Sequence, residues 1–162
     1  MNITDIDDKI IIRARQAFLL KEYGTEHQTV DEALLKELGG LLEAFAVKRC
    51  SSADLHAADW SVAAKSKLAS DDAKGLMYIE TAVKAQAALK AVKVGDASGA
   101  LLEAFQDILS PHLDDLKGAS VNDPKVSRDL AAFWEADFLQ DMRQLGVLPA
   151  DVMTRVSEYI PE

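Results

Sequence analysis

The stretch DDAKGLMYIETAVKAQAALKAVKVG, residues 71–95, decides the class of fold. Its apolar residues recur at three and four rather than at two, which puts Leu76, Ile79, Val83 and Ala87 on one face of a helix that can run until Gly95. The same spacing continues outward in both directions. Only 8 Gly and 4 Pro interrupt 162 residues rich in Ala, Leu, Lys, Glu and Asp. The expectation is an all-α chain, a helical bundle with this stretch as its central helix.

Toward the N-terminus, a first helix is expected to open at Thr4 or Asp5, whose side-chain oxygen can accept an unpaired backbone N–H, with Asp7 and Asp8 complementing the positive helix end. Ile6, Ile10, Ala14 and Phe18 would share its inner stripe, and Tyr23-Gly24 reads as its stop. Thr29 with Glu32 three residues on reads as a capping box for a second helix, which would bury Leu34, Leu38, Leu41 and Phe45. Gly39-Gly40 inside that helix costs about 1 kcal/mol per glycine relative to alanine, so a close helix contact is expected there. Residues 51–69 give only the thin stripe Leu55, Val62 and Leu68, and a short or irregular helix is expected.

Toward the C-terminus, Leu101, Leu102, Phe105, Ile108 and Leu109 mark another helix. Ser110-Pro111 would cap and start a further turn reaching Gly118, and Asp123-Pro124 repeats that start signal. The last helix carries Leu130, Phe133, Trp134, Phe138, Met142 and Leu145, with Gly146 as its stop. The pentapeptide LLEAF occurs at 41–45 and at 101–105, but the flanks do not continue the match, so it is read as coincidence.

Composition narrows the function classes. The chain is 49% hydrophobic and long enough for one stable core. Twenty-seven acids against eighteen Lys and Arg give a net charge of -9, which disfavours free-standing binding to a phosphate backbone. One cysteine, Cys50, excludes an internal disulfide and a zinc site of several thiolates. No run of about 18 uncharged apolar residues exists, so no membrane role is expected. The acidic Asp5, Asp7 and Asp8 precede Ile10-Ile11-Ile12 where a signal peptide would need positive charge.

Chemistry-bearing residues are sparse. His27, His56 and His112 stand far apart with none of the helical spacing a zinc site uses, so no metal ligand is assigned. Cys50 is read as an inert thiol, and Lys65-Ser66-Lys67 as a solvated face, because no glycine-rich turn accompanies it. Trp134 and Phe138, four apart, are read as core aromatics rather than a stacking platform. The acidic pairs, mostly near Lys or Arg, are read as solvated ion pairs, and no catalytic residue is assigned.

The two ends carry more. Asn2-Ile3-Thr4-Asp5-Ile6-Asp7-Asp8-Lys9-Ile10 resembles a signature of cysteinyl-tRNA synthetases, class I enzymes with a Rossmann-type catalytic domain. Phe133-Trp134-Glu135, Leu145-Gly146-Val147-Leu148-Pro149 and Thr154-Arg155-Val156-Ser157-Glu158-Tyr159 resemble the matching downstream segment. Met1 to Thr4 also has the character of a short strand feeding a helix, the crossover beside which open α/β sheets bind ligands.

The resemblance implies that residues 1–16 are a piece of a parent catalytic domain, 17–131 the helical insertion of eukaryotic-type members, and 132–162 the segment that rejoins the parent. It implies that Thr4 and Asn2 approach the substrate. The parent would use ATP and zinc, yet this sequence has no His-x-Gly-His signature, no Lys-Met-Ser-Lys-Ser loop and no metal-ligand cluster. The chain is therefore expected to be an excised fragment, inactive alone and cytoplasmic, whose partner is the rest of the enzyme, with tRNA bound only in the full-length context. The alternative is an independent helical protein-interaction module, with an apolar patch rimmed by charge. A weaker one is a truncated enzyme that binds tRNA alone.

Overall fold

The computed structural model describes residues 1–50 and 73–159, so the helix expected over 51–69 lies outside the described residues. These residues form strands β1 (Asn2–Ile3) and β2 (Thr154–Arg155) and helices α1 (Asp8–Glu26), α2 (Glu32–Arg49), α3 (Ala73–Ala91), α4 (Gly99–Ala104), α5 (Gln106–Lys117) and α6 (Pro124–Gln144). Short 3-10 turns follow at Gly118–Ser120 and Val156–Tyr159. The chain is mostly helical, as expected of a helical bundle with short extended ends, and those ends pair as one small parallel sheet. It divides into two compact units, Met1–Leu19 with Leu113–Glu162, and Leu20–His112, in place of the single core expected from length.

In the Leu20–His112 unit, α2 packs on α3 and α3 on α4. Asp31, not Thr29, caps α2, accepting from the Leu34 N–H at 2.7 Å. Thr29 instead forms an antiparallel bridge with Ala97, flanked by Val30 N–H to Asp96 O and Gly95 N–H to Val30 O, both 2.8 Å. Gly95 makes that approach with φ +97°, and the buried Ser98 hydroxyl donates to His27 O.

The buried stripe of α2 is Leu34, Leu38, Leu42 and Ala46, a strict i, i+4 series lying beside the expected Leu41 and Phe45. On α3 the buried residues are Ile79, Ala82 and Ala85, so the inner face is rotated from the expected one and Ala87 is exposed. Small residues there let α3 approach its neighbours closely. No described atom lies within 4 Å of a Cβ built at Gly39 or Gly40, so the close contact expected at that pair is not made by the described residues.

Two further boundaries differ. Helix α1 runs through Gly24 to Glu26, with buried Tyr23 accepting at its carbonyl from His27 N–H and its ring 4.3 Å from the His27 ring. Pro111 lies inside α5 and starts nothing; it forfeits one hydrogen bond, to exposed Asp107, and its φ suits a helix. The break comes at Phe105, whose N–H is shared between the Leu101 and Leu102 carbonyls. Phe105 is itself fully buried.

In the other unit, Asp7 caps α1, accepting from Lys9 N–H at 2.6 Å, so neither Thr4 nor Asp5 is the cap. Along α1 here Ala14 and Leu19 are buried while Phe18 is exposed, and Ile6, expected on the same stripe, precedes the helix and is exposed. Asp123 and Pro124 start α6 as expected, with Asp123 accepting from Lys125 N–H at 2.9 Å. Gly146 at φ +72° ends it, its N–H on Arg143 O and the Val147 N–H on Met142 O, a Schellman closure. No residue of α6 is buried: Phe133 and Trp134 are 62% and 58% exposed, and their rings meet edge to face at 5.2 Å. The core reading of those aromatics is overturned, because helical spacing marks a face as apolar without supplying the layer that covers it.

Candidate functional site

β1 and β2 pair in parallel, Asn2 opposite Thr154 and Ile3 opposite Arg155. Thr154 N–H donates to Met1 O at 3.0 Å, and the Thr154 hydroxyl donates to Asn2 Oδ1 at 3.0 Å. The first strand of the chain is thus seated beside a strand from its far end. The β-branched Ile3, Thr4 and Thr154 suit extended backbone, and the turn to helix begins only where Asp7 accepts from the Lys9 N–H in the first turn of α1.

Beside this pair lies a groove of about 380 Å³. Its polar lining is Asn2, Thr4, Asp5, Arg13 and Glu135, and its apolar lining includes Ile10, Leu130, Trp134 and Phe138. The structure therefore brings Asn2 and Thr4, the two residues singled out in the sequence, to one groove, and both are exposed. The shape is a small apolar trough with converging hydrogen-bonding groups, suited to a small polar ligand with an apolar part.

Hydrogen bonds among Arg155, Glu135, Glu158, Asp5 and Ser157 tie together the residues beside the groove. Arg155 places Nε 2.9 Å from Glu135 Oε2 and Nη2 2.5 Å from Oε1, while Nη1 donates to Glu158 Oε1 at 3.0 Å. The hydrogen bonds that Arg155 donates to Glu135 and then to Glu158 raise its pKa further, so it is permanently cationic. Asp5 accepts from Ser157 N–H at 2.9 Å and also from the Ser157 hydroxyl. Burial works to raise the pKa of Asp5, but those two bonds and the charge of Arg155 outweigh it, and Asp5 lies below the usual carboxylate value. No local sequence signal announced these contacts. The contacts share one offset, 152 residues, which links Asn2 to Thr154 and Asp5 to Ser157.

The other candidates fall elsewhere. Cys50 ends α2, its N–H on Ala46 O at 2.9 Å, and His56 and Lys65 to Lys67 lie outside the described residues. The buried Tyr23 hydroxyl has no hydrogen-bond partner among the described residues; burial and the nearby Glu37 carboxylate, felt through its charge but out of bonding geometry, push its pKa up. Among the described residues no three His, Cys, Asp or Glu side chains gather to hold a metal ion.

Residues 1–162 match the family described as tRNA synthetases class I (C) catalytic domain. The chain is 38% identical over 171 residues to the cytoplasmic cysteine-tRNA ligase of Gallus gallus and 40% identical over 171 residues to that of Homo sapiens. It is 40% identical over 169 residues to the cytoplasmic cysteine-tRNA ligase of Drosophila melanogaster. Each similarity covers 100% of this chain but 21% of the relative, so the chain spans about a fifth of the length of the curated proteins it matches. No solved structure matches it.

Proposed function

Because this chain belongs to the family of class I (C) tRNA synthetase catalytic domains, we propose that it works as one segment of a cytoplasmic cysteine-tRNA ligase, the enzyme that joins cysteine to its tRNA with ATP. The observation that carries this reading is the parallel pairing of β1 with β2, which seats the two stretches resembling the enzyme's catalytic domain side by side. A parallel sheet of two short strands is too small to stand alone, since parallel sheets are covered on both faces and joined to further strands. The rest of a Rossmann-type sheet, from the longer ligase, would complete it.

In this reading residues 1–16 and 132–162 belong to the catalytic domain, and 17–131 are a helical bundle inserted between them. Asn2 and Thr4 face the substrate from the groove. The remainder of the ligase is the partner that covers the exposed aromatics of α6. The zinc donors and the ATP-binding motifs are assigned to the remaining four fifths of the enzyme, since this sequence has one Cys and neither a His-x-Gly-His nor a Lys-Met-Ser-Lys-Ser stretch. The tRNA likewise binds only the whole enzyme, because a segment of charge -9 repels a phosphate backbone. No described helix is long and apolar enough to cross a membrane.

The test is cysteine-dependent exchange of pyrophosphate into ATP. The chain of 162 residues alone should be silent, and the full-length ligase containing it should be active. Turnover by the segment alone would overturn its inactivity, and a silent full-length protein would overturn the ligase reading. Thr4→Ala, which removes no cap, should raise the cysteine KM of the full-length enzyme and leave the melting of the segment unchanged.

A further inference from the structure

The parallel ladder ends at Ile3 and Arg155, yet the pairing does not. Two residues on, at the same separation of 152, the Asp5 carboxylate replaces the backbone as acceptor and takes one hydrogen bond on each oxygen from Ser157, N–H to Oδ1 and hydroxyl to Oδ2. Thr4 is left between two fixed points, Ile3 in the ladder and Asp5 in this side-chain latch. Asp5 is not needed to start α1, because Asp7 caps that helix. An ionised carboxylate is an acceptor only, and Ser157 offers it two donors, one on each oxygen, while Arg155 adds its charge.

We propose that Asp5 is a positioning residue that acts through Ser157 to hold the Thr4 side chain toward the groove, a role that rests on the ligase reading above. A side chain presented to a small substrate must be held closely, since small displacements are felt in binding. Three residues before α1 carry an oxygen side chain at this groove: Asn2 is tied to the Thr154 hydroxyl, Thr4 faces the ligand and Asp5 aims Thr4. The sequence pattern alone made Asp5 a helix cap; the latch gives it a different task.

The experiment uses the full-length ligase, with cysteine-dependent pyrophosphate exchange measured against both cysteine and ATP. Asp5→Ala should raise the cysteine KM about tenfold and Ser157→Ala, which keeps the backbone N–H bond, by about threefold, both leaving the ATP KM within about twofold. Ser157→Thr, which keeps the hydroxyl, should restore the wild-type value. The double variant should be no worse than Asp5→Ala, because the serine hydroxyl acts on the groove only through the Asp5 carboxylate. If Asp5→Ala does not fold, the serine pair decides. An unmoved cysteine KM in Ser157→Ala overturns the positioning role, as does a parallel rise in both KM values with a loss of thermal stability, which marks a merely structural bond. A wild-type enzyme without cysteine-dependent exchange overturns the ligase reading and this role with it.

Discussion

Arg15 grips both oxygens of Asp114 across 99 residues of sequence, Nε to Oδ1 at 2.8 Å and Nη2 to Oδ2 at 3.0 Å. Gly118 leaves room for that grip. A Cβ at 118 would lie 2.5 Å from Asp114 Oδ1 and 3.1 Å from its carboxyl carbon, and the glycine is buried. Its backbone is not left-handed, so the constraint is space alone.

Gly118→Ala should therefore cost roughly 1 kcal/mol in the wild-type chain, by pushing the carboxylate off the guanidinium. In an Asp114→Ala background the obstruction is gone, and the same change should become neutral or stabilise by about 0.4 to 1 kcal/mol through the unfolded state. Urea melts of the four variants check the reversal. Equal effects in both backgrounds would show that Asp114 moves aside freely.

Asp5 makes stability depend on acid. Its folded pKa is below the unfolded value of about 3.9, so its contribution is complete above that value and is lost as pH falls through the lower folded one. The stability gap between wild type and Asp5→Ala should be full at neutral pH and should narrow below about pH 4. Denaturant melts across that range measure it, and a gap indifferent to pH would mean that the bonds to Ser157 do not need the charge.

Phe105 and Trp134 should answer oppositely to truncation. Phe105 is 0% exposed, and Phe105→Ala should cost roughly 3 to 5 kcal/mol. Trp134 is 58% exposed, and Trp134→Ala in the isolated chain should change stability by no more than about 0.5 kcal/mol. Calorimetry of both variants checks the contrast.

Gly40→Ala should stabilise the chain by about 0.5 to 1 kcal/mol, since Gly40 is exposed within α2 and a Cβ there meets no described atom within 4 Å. A lower melting temperature would reveal a neighbour pressed against that position.

What could be read from residues alone was what depends on residues alone. Asp123-Pro124 and Gly146 bracket α6 because a cap, a fixed φ and a left-handed glycine act locally. Leu34 and Leu38 were legible as core, whereas Leu42 and Ala46 displaced Leu41 and Phe45 because the choice between adjacent apolar stripes depends on the partner helix. Thr29 and Asp31 both suit a cap, and Thr29 is drawn away by its bridge to Ala97. At the site, Asn2 and Thr4 stood out through the resemblance, while Ser157, Arg155 and Glu135 act only through contacts made across the sequence.

The side-by-side seating of residues 3 and 155 has an evolutionary corollary. Everything between them is a detour that departs from and returns to one place, so its length is almost decoupled from the geometry of the strands. Closing a flexible loop twice as long costs only about 0.6 kcal/mol more. The Leu20–His112 unit supplies no residue to the groove, so this part of the detour can be lengthened or trimmed while the strands keep their register and the pocket beside them keeps its lining.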